Sequence, residues 1–363
     1  MPSLPLEQAK IEDRKKEGII ITLNEQVQAR ETSTLLECVH LIHNALPELN
    51  FDEVDTSISF LGHKFSAPIL IDSMTGGTHA ATKLNETLAR AAAKYELGMG
   101  VGSQRAGLKS EALAETYKVV RKAAPEIFLM ANIGGAQLAD NLSLKDAQKL
   151  VEMINADALT VHLNPLQELV QPEGEPRFKG VLNRIKELSS KISVPIIVKE
   201  VGAGISKEVA LRLIKSGVAA INVSGLGGTS WAGVEQIRAK TSKNMKKAEL
   251  GEIFWDWGIP TAASLIEVRK AVKVPLIASG GLRNGLDIAK CIVLGANLCG
   301  MALPMLKRAA ESFESLCEFM EGLQFQLQSA MFLVGAKNVK ELSKARHVVT
   351  GDLLDWNKVG ESR

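Results

Sequence analysis

From residue 68 onward, short runs of consecutive apolar residues alternate with longer stretches whose apolar positions recur every three to four residues. The short runs fit strands buried on both faces, and the longer stretches fit helices with one buried stripe. Strands are predicted at 69–72, 97–101, 128–132, 158–163, 195–199, 220–223, 276–279 and 298–302. Helices at 78–95, 111–124, 144–154, 180–191, 207–215, 261–272 and 284–294 fall between them, and 306–336 predicts one long helix or two. Such alternation builds a parallel sheet, and eight strands close naturally into a barrel. An open doubly wound sheet would carry a GxGxxG turn after an early strand, and none stands there. The predicted fold class is therefore α/β, a (β/α)8 barrel with an N-terminal extension and long βα-loop insertions.

Residues 1–66 lack this rhythm. They carry a basic cluster, Arg14-Lys15-Lys16, a polar segment, and a helical-looking stretch at 34–45 that includes His40 and His43. The domain reading is an extension over 1–66 that contributes to a substrate site, the barrel over 67–340, and a tail over 341–363. Two connections, 165–179 and 224–258, are too long for ordinary barrel loops, and long loops are often lids or interfaces. Trp231, Trp255 and Trp257 lie in the second. They suit closure over a ligand, a subunit contact, or plain packing of the insertion.

Composition removes several function classes. The charged fraction of 23% and apolar fraction of 46% are ordinary for a soluble globular chain. A net charge of +2 gives no field for nucleic acid or an anionic membrane. Aromatics at 4% leave no stacking platform for single strands. No apolar run approaches a membrane span, and the first residues show no secretory core. Cys38, Cys291, Cys299 and Cys317 have no metal or CxxC spacing, so a reducing, cytoplasmic setting is expected.

Barrels place chemistry at the C-terminal ends of their strands. Those positions read, in order, Ser73-Met74-Thr75-Gly76-Gly77, Gly102-Ser103-Gln104-Arg105, Asn132-Ile133-Gly134-Gly135, and His162-Leu163-Asn164 leading to Gln167-Glu168. Then come Lys199-Glu200, Ser224-Gly225-Leu226-Gly227-Gly228-Thr229, Ser279-Gly280-Gly281, and Gly300-Met301-Ala302. Glycine beside a small polar residue recurs, leaving room for a broad flat ligand. The last two units suit an anion at backbone N–H groups and a helix N-terminus. Lys199 ends a buried strand and needs a negative partner: a ligand's anionic ring atom or a neighbouring carboxylate. Arg105, His162, Asn164, Gln167 and Glu168 gather on one rim, where Glu168 could hold Mg²⁺ while a phosphate supplies further ligands. Alone, Glu168 would read equally as a surface carboxylate.

SMTGGT, GSQR, NIGG, HLNPLQE, VKEVGAG, VSGLGGTSWA, DWGIPTAASL and ASGGLRNGLDIAKCIVLGA, in that order, resemble the type 2 isopentenyl-diphosphate delta-isomerases. The likeness extends to Arg14-Lys15-Lys16-Glu17 and to LVGAKNVKEL. It implies interconversion of isopentenyl and dimethylallyl diphosphate with FMN, Mg²⁺ and a reductant such as NADPH. It implies a flavin lined by Ser73, Met74, Thr75, Ser103 and Asn132, with Lys199 at the pyrimidine edge and Ser224 and Thr229 on the ribityl side. Gly280, Gly281, Met301 and Ala302 would form the flavin's phosphate cup. Arg14, Lys15, Ser103, Gln104, Arg105, His162 and Asn164 would hold the substrate, with Gln167 near the allyl group, Gln167 and His162 as catalytic groups, and Glu168 on Mg²⁺. A homo-oligomer, tetramer or octamer, is implied too. One position departs: Gly18 stands where the family pattern Arg-Lys-x-Glu-His has histidine.

Protonating an unactivated alkene suits ordinary side chains poorly. The expectation is that reduced FMN is the acid–base catalyst, its ring charge stabilising a developing cation, while Gln167 assists positioning. The main alternative is another FMN barrel, an α-hydroxyacid oxidase. That would need a histidine base and an arginine after the sixth strand, and no histidine lies between His162 and His347. An IMP dehydrogenase-like enzyme would need a cysteine in that same loop, which holds none.

Overall fold

The computed structural model describes residues 6–140 and 142–359, with residues 6–11 and 359 as backbone only. Eight parallel strands close into a barrel. They are β1 (Ile69–Ile71), β2 (Gly98–Gly100), β3 (Leu129–Gly134), β4 (Ala158–His162), β5 (Ile196–Lys199), β6 (Ala220–Asn222), β7 (Leu276–Ser279) and β8 (Leu298–Met301). β8 pairs back onto β1 with Gly300 opposite Leu70. Helices His79–Lys94, Glu111–Ala123, Leu144–Met153, Val181–Lys191, Lys207–Lys215, Thr261–Ala271 and Gly285–Val293 return the chain between them. Leu303–Glu311 and Phe313–Leu333 follow β8 as two helices, and Ser312 caps the second.

The elements begin where local chemistry predicts. Thr78, Ser110, Ser143, Ser206 and Asn284 each accept a backbone N–H of the helix they precede, worth about 1 kcal/mol apiece. Strand side chains alternate between two apolar layers. Ile69 and Ile71 face the helices, whereas Leu70 joins Met130, Ile197 and Ile277 in a separate cluster inside the barrel. A hairpin, Ile58–Phe60 with His63–Phe65, plugs the end from which the strands start. There Phe60 meets Phe128 edge to face at 5.9 Å and Phe65 at 6.4 Å. One mouth is sealed by apolar packing, so the other is left for chemistry.

One expectation changes and three gain detail. Residues 34–45 are not a helix: a short 3₁₀ turn, Leu36–Cys38, leads into a strand, Val39–Leu41, paired antiparallel with His347–Val349. Leu35 stands at φ 58°, where an α-helix cannot continue, and Val39 is buried while His40 is exposed, a two-residue alternation. Residues 165–179 include a helix, Pro165–Val170, started by a proline in its first turn. Residues 224–258 hold two more, Trp231–Thr241 and Met245–Ile253. The basic cluster of the extension lies on a helix too, Leu6–Asn24, which packs against Trp231–Thr241 across the open mouth.

Candidate active site

The open mouth holds a cavity of about 240 Å³. Strand register brings its polar residues level: His162 pairs with Lys199, and Lys199 with Asn222. At its floor Lys199 Nζ lies 3.8 Å from Asp72 Oδ2, both side chains almost fully buried. Asp72 is held by Ser73 N at 2.7 Å and Asn222 Nδ2 at 3.0 Å, and Asn222 Oδ1 accepts from Ser279 Oγ at 2.8 Å. Lys199 thus has a carboxylate neighbour. At 3.8 Å the contact is an ion pair, and the ammonium can still donate elsewhere.

The loops after β7 and β8 bring Gly280, Gly281, Met301 and Ala302 to one side of the cavity, next to Ser224 and Thr229. Gly280 stands at φ 97°, and a Cβ there would fall 2.0 Å from Gly225 O. Only glycine permits this approach of two loops. Ser73, Met74, Thr75, Ser103 and Asn132 line the adjoining wall. Ser73 Oγ is buried without a partner among the described residues, while the Thr75 hydroxyl is bonded to Asn85.

On the opposite rim, His162 donates Nδ1–H to Asn132 Oδ1 at 2.8 Å, which leaves Nε2 as an acceptor. Burial, then Lys199, Lys15 and Arg14, pull its pKa from 6.5 down to about 3, so the ring is neutral near pH 7. Asn164 Nδ2 donates to Gln167 Oε1 at 3.1 Å, and Gln167 Nε2 donates to Glu235 Oε1 at 3.1 Å. Both ends of the Gln167 amide are therefore fixed. Glu168 is buried, its carboxylate held by Gln137 Nε2 at 3.0 Å and Glu175 N at 3.0 Å. Asn164 Oδ1 and Arg105 Nε are buried and unpartnered among the described residues. Buried polar atoms are normally satisfied, and orphans clustered in one cavity point to a ligand.

Lys15 lines the cavity, but Gly76 O, Ser103 O and Tyr117 Oη take its ammonium at 3.0, 2.5 and 2.6 Å. These use all three of its N–H groups. Burial, then Arg14 and Arg105, push its pKa well below the usual lysine range. Arg14, 3.9 Å from Glu173, is lowered chiefly by burial and then by Arg105.

Of the residues singled out from sequence, the structure does not bring Gln104 to the cavity. Its buried amide points away, accepting from Asn132 N at 2.9 Å and donating to Leu150 O at 3.1 Å. It braces β3 from behind. The other residues expected to hold flavin, substrate or Mg²⁺ border the cavity. Sequence reading missed Asp72, Gln137, Glu235 and Arg283, all in the lining. The tryptophans divide: Trp231 lines the cavity, Trp255 is buried and donates to Gln28 O at 2.9 Å, and Trp257 is exposed.

Comparison with known proteins defines the class first. Residues 19–128 and 148–350 match the model of the FMN-dependent dehydrogenase family. A lactate oxidase structure from Pediococcus acidilactici superposes with a TM-score of 0.67 at 16% identity, over 97% of this chain and 96% of that one, a likeness of fold. The chain is an FMN-dependent dehydrogenase-type barrel. Closer relatives narrow the class. It is 49% identical over 338 residues to the isopentenyl-diphosphate delta-isomerase of Methanosarcina mazei, covering 93% of this chain and 92% of the relative. It is 47% identical to that of Pyrococcus furiosus, covering 94% and 88%. The chain belongs to the isopentenyl-diphosphate delta-isomerase family, the FMN-dependent type, and is an enzyme.

Proposed function

We propose that this enzyme interconverts isopentenyl and dimethylallyl diphosphate, with reduced FMN over the barrel floor and Mg²⁺ on the substrate's diphosphate. One observation supports this most: a single cavity joins two complementary halves. The β7–β8 glycine cup, Ser73 and Lys199 form a wall suited to a flat anionic cofactor. Arg14, Arg105, Asn164, Gln167 and Glu168 form a rim suited to a small diphosphate.

The residues fit both groups. Ser73 Oγ and the ion-paired but not fully engaged Lys199 are donors awaiting an acceptor. Glu168 and the orphan Asn164 Oδ1 offer oxygens to a hard cation that takes its remaining ligands from phosphate and water. No cluster of three or more His, Cys, Asp or Glu among the described residues could hold a metal alone. FMN, when bound and reduced, supplies proton donation and acceptance at its ring. The chain's own groups orient and desolvate. Gln167, fixed between Asn164 and Glu235, presents its amide to the hydrocarbon end of the substrate. Neutral His162 offers Nε2 as a fixed acceptor at the rim. The Leu6–Asn24 helix packs across the mouth against Trp231–Thr241 and brings Arg14, Lys15, Gly18 and Thr22 into the lining, which would limit the access of water.

A hydroxyacid oxidase is not favoured, because the loop after β6 brings Ser224 and Thr229, not a histidine, to the cavity. The test is to purify the protein, measure its flavin, and assay isopentenyl diphosphate with NADPH or dithionite and Mg²⁺. A yellow protein inert there, yet consuming oxygen with a hydroxyacid, would overturn the proposal. An enzyme loaded with 5-deaza-FMN that ran at the native rate would remove the flavin's acid–base role.

A further inference from the structure

Arg238 lies on the helix Trp231–Thr241, outside the residues that border the cavity, yet three parts of the mouth meet on it. Its Nε donates to Glu17 Oε2 at 3.0 Å, on the Leu6–Asn24 helix. Its Nη2 donates to Glu173 Oε1 at 2.9 Å, in the segment after Pro165–Val170. Its Nη1 donates to Glu235 Oε2 at 2.6 Å, and Glu235 Oε1 in turn holds the Gln167 amide. Each guanidinium nitrogen serves a carboxylate from a different segment. The planar fork of arginine sets these donors on three separate nitrogens in fixed directions; a lysine, with all its donors on one nitrogen, would not reach carboxylates spread around that plane.

We propose that Arg238 is a positioning residue that latches the N-terminal helix over the mouth and sets Gln167 in the same act. The helix has two anchors. On one side Lys15 plugs into the loops after β1 and β2. On the other, Glu17 reaches Arg238, which is only 9% exposed although Glu17 is 52% exposed. Glu173 strengthens the second anchor, since it also faces Arg14 at 3.9 Å. Burial raises Glu235, and Arg238 counters it. The seated helix thus completes the set of three carboxylates around Arg238, and its release would take Glu17 away while Glu235 and Glu173 stay in contact. The latch couples the presence of Arg14 at the rim to the orientation of Gln167. This role rests on the reading that the rim holds a diphosphate.

The test measures hydrogen exchange on the full-length, FMN-loaded protein, with affinity for Mg²⁺-pyrophosphate as a second readout. In Arg238→Met, amides of residues 12–24 are expected to exchange about tenfold faster or more, as loss of a charge-assisted hydrogen bond implies. Amides of β1–β8 should keep their protection, and pyrophosphate should bind more weakly. Arg238→Lys should not rescue either readout. If residues 12–24 exchange as in the parent, the latch is wrong. If Arg238→Met loosens the whole barrel, Glu17→Gln decides, because it leaves the Glu235 and Glu173 contacts in place: faster exchange confined to 12–24 supports the latch, and parental exchange overturns it. Helix loosening with unchanged pyrophosphate affinity would uphold the latch and instead remove the diphosphate from this rim.

Discussion

Acidification should weaken the fold through His162, by an amount set by the geometry. The ring is buried, bonded at Nδ1 to Asn132, and faced by Lys199, Lys15 and Arg14. Its folded pKa of about 3 lies far below the ordinary 6.5. The unfolded chain therefore binds a proton between these values that the folded chain refuses. The contribution is intact above pH 6.5 and is lost as pH falls toward 3. At pH 5, about 1.5 units below the unfolded value, at ~1.4 kcal/mol per unit the loss is about 2 kcal/mol. Other groups titrate over the same range, so a comparison is needed. Urea unfolding at pH 7 and pH 5 is measured for the parent and for His162→Gln, whose amide can still donate to Asn132. The parent should lose about 2 kcal/mol more than the variant across that interval. Equal losses would show that the imidazole titrates normally, and the neutral acceptor at the rim would have to be abandoned.

Two substitutions probe the two halves of the cavity. Gly280→Ala forces a Cβ to within 2.0 Å of Gly225 O at φ 97°; strain of about 1–3 kcal/mol must spread the cup, so the purified variant should lose FMN while keeping Mg²⁺-pyrophosphate affinity, and full flavin content would refute this division. Gly18 sits inside the Leu6–Asn24 helix and borders the cavity with nothing within 4 Å of a built Cβ, so Gly18→His should recover about 0.3 kcal/mol of helix propensity without raising KM for isopentenyl diphosphate; a clear rise would show that the open space is needed.

The barrel was legible because its strands are buried on both faces and so appear as unbroken apolar runs, as in 196–199 and 276–279. The cavity lining was legible wherever a polar residue or glycine followed a strand directly, as with Lys199, His162 and Gly280. What stayed hidden is spatial. Glu235 and Arg238 lie in the long 224–258 connection, away from any strand end, and the packing of their helix against Pro165–Val170, Met245–Ile253 and Leu6–Asn24 buries them. Gln104 misled because it sits between Ser103 and Arg105, yet successive residues leave a strand end in different directions. Asp72 could have been found, since a charge closing the run Ile69–Ile71 is the same signal that exposed Lys199. Residues 34–45 misled because closely spaced apolar residues in a short window fit a helix and a strand almost equally.

That missed aspartate carries a consequence for the cofactor. Lys199 and Asp72 are 3.8 Å apart in the barrel floor. At an effective dielectric of about 20 their attraction is about 4 kcal/mol. An anionic ring above Lys199 must share the ammonium with Asp72 and also meet Asp72's repulsion. Asp72→Asn removes both effects at once. The two states of the protein should then respond with opposite signs. Without flavin, the buried ammonium loses its counter-charge, and stability to urea should fall. With flavin, the reduced and more negative form gains, so the midpoint potential of bound FMN should rise, as read by equilibration with reference dyes. A potential that falls or stays level would mean that Lys199 does not face the charged edge of the ring, and the pair would then be a structural buttress of the barrel floor.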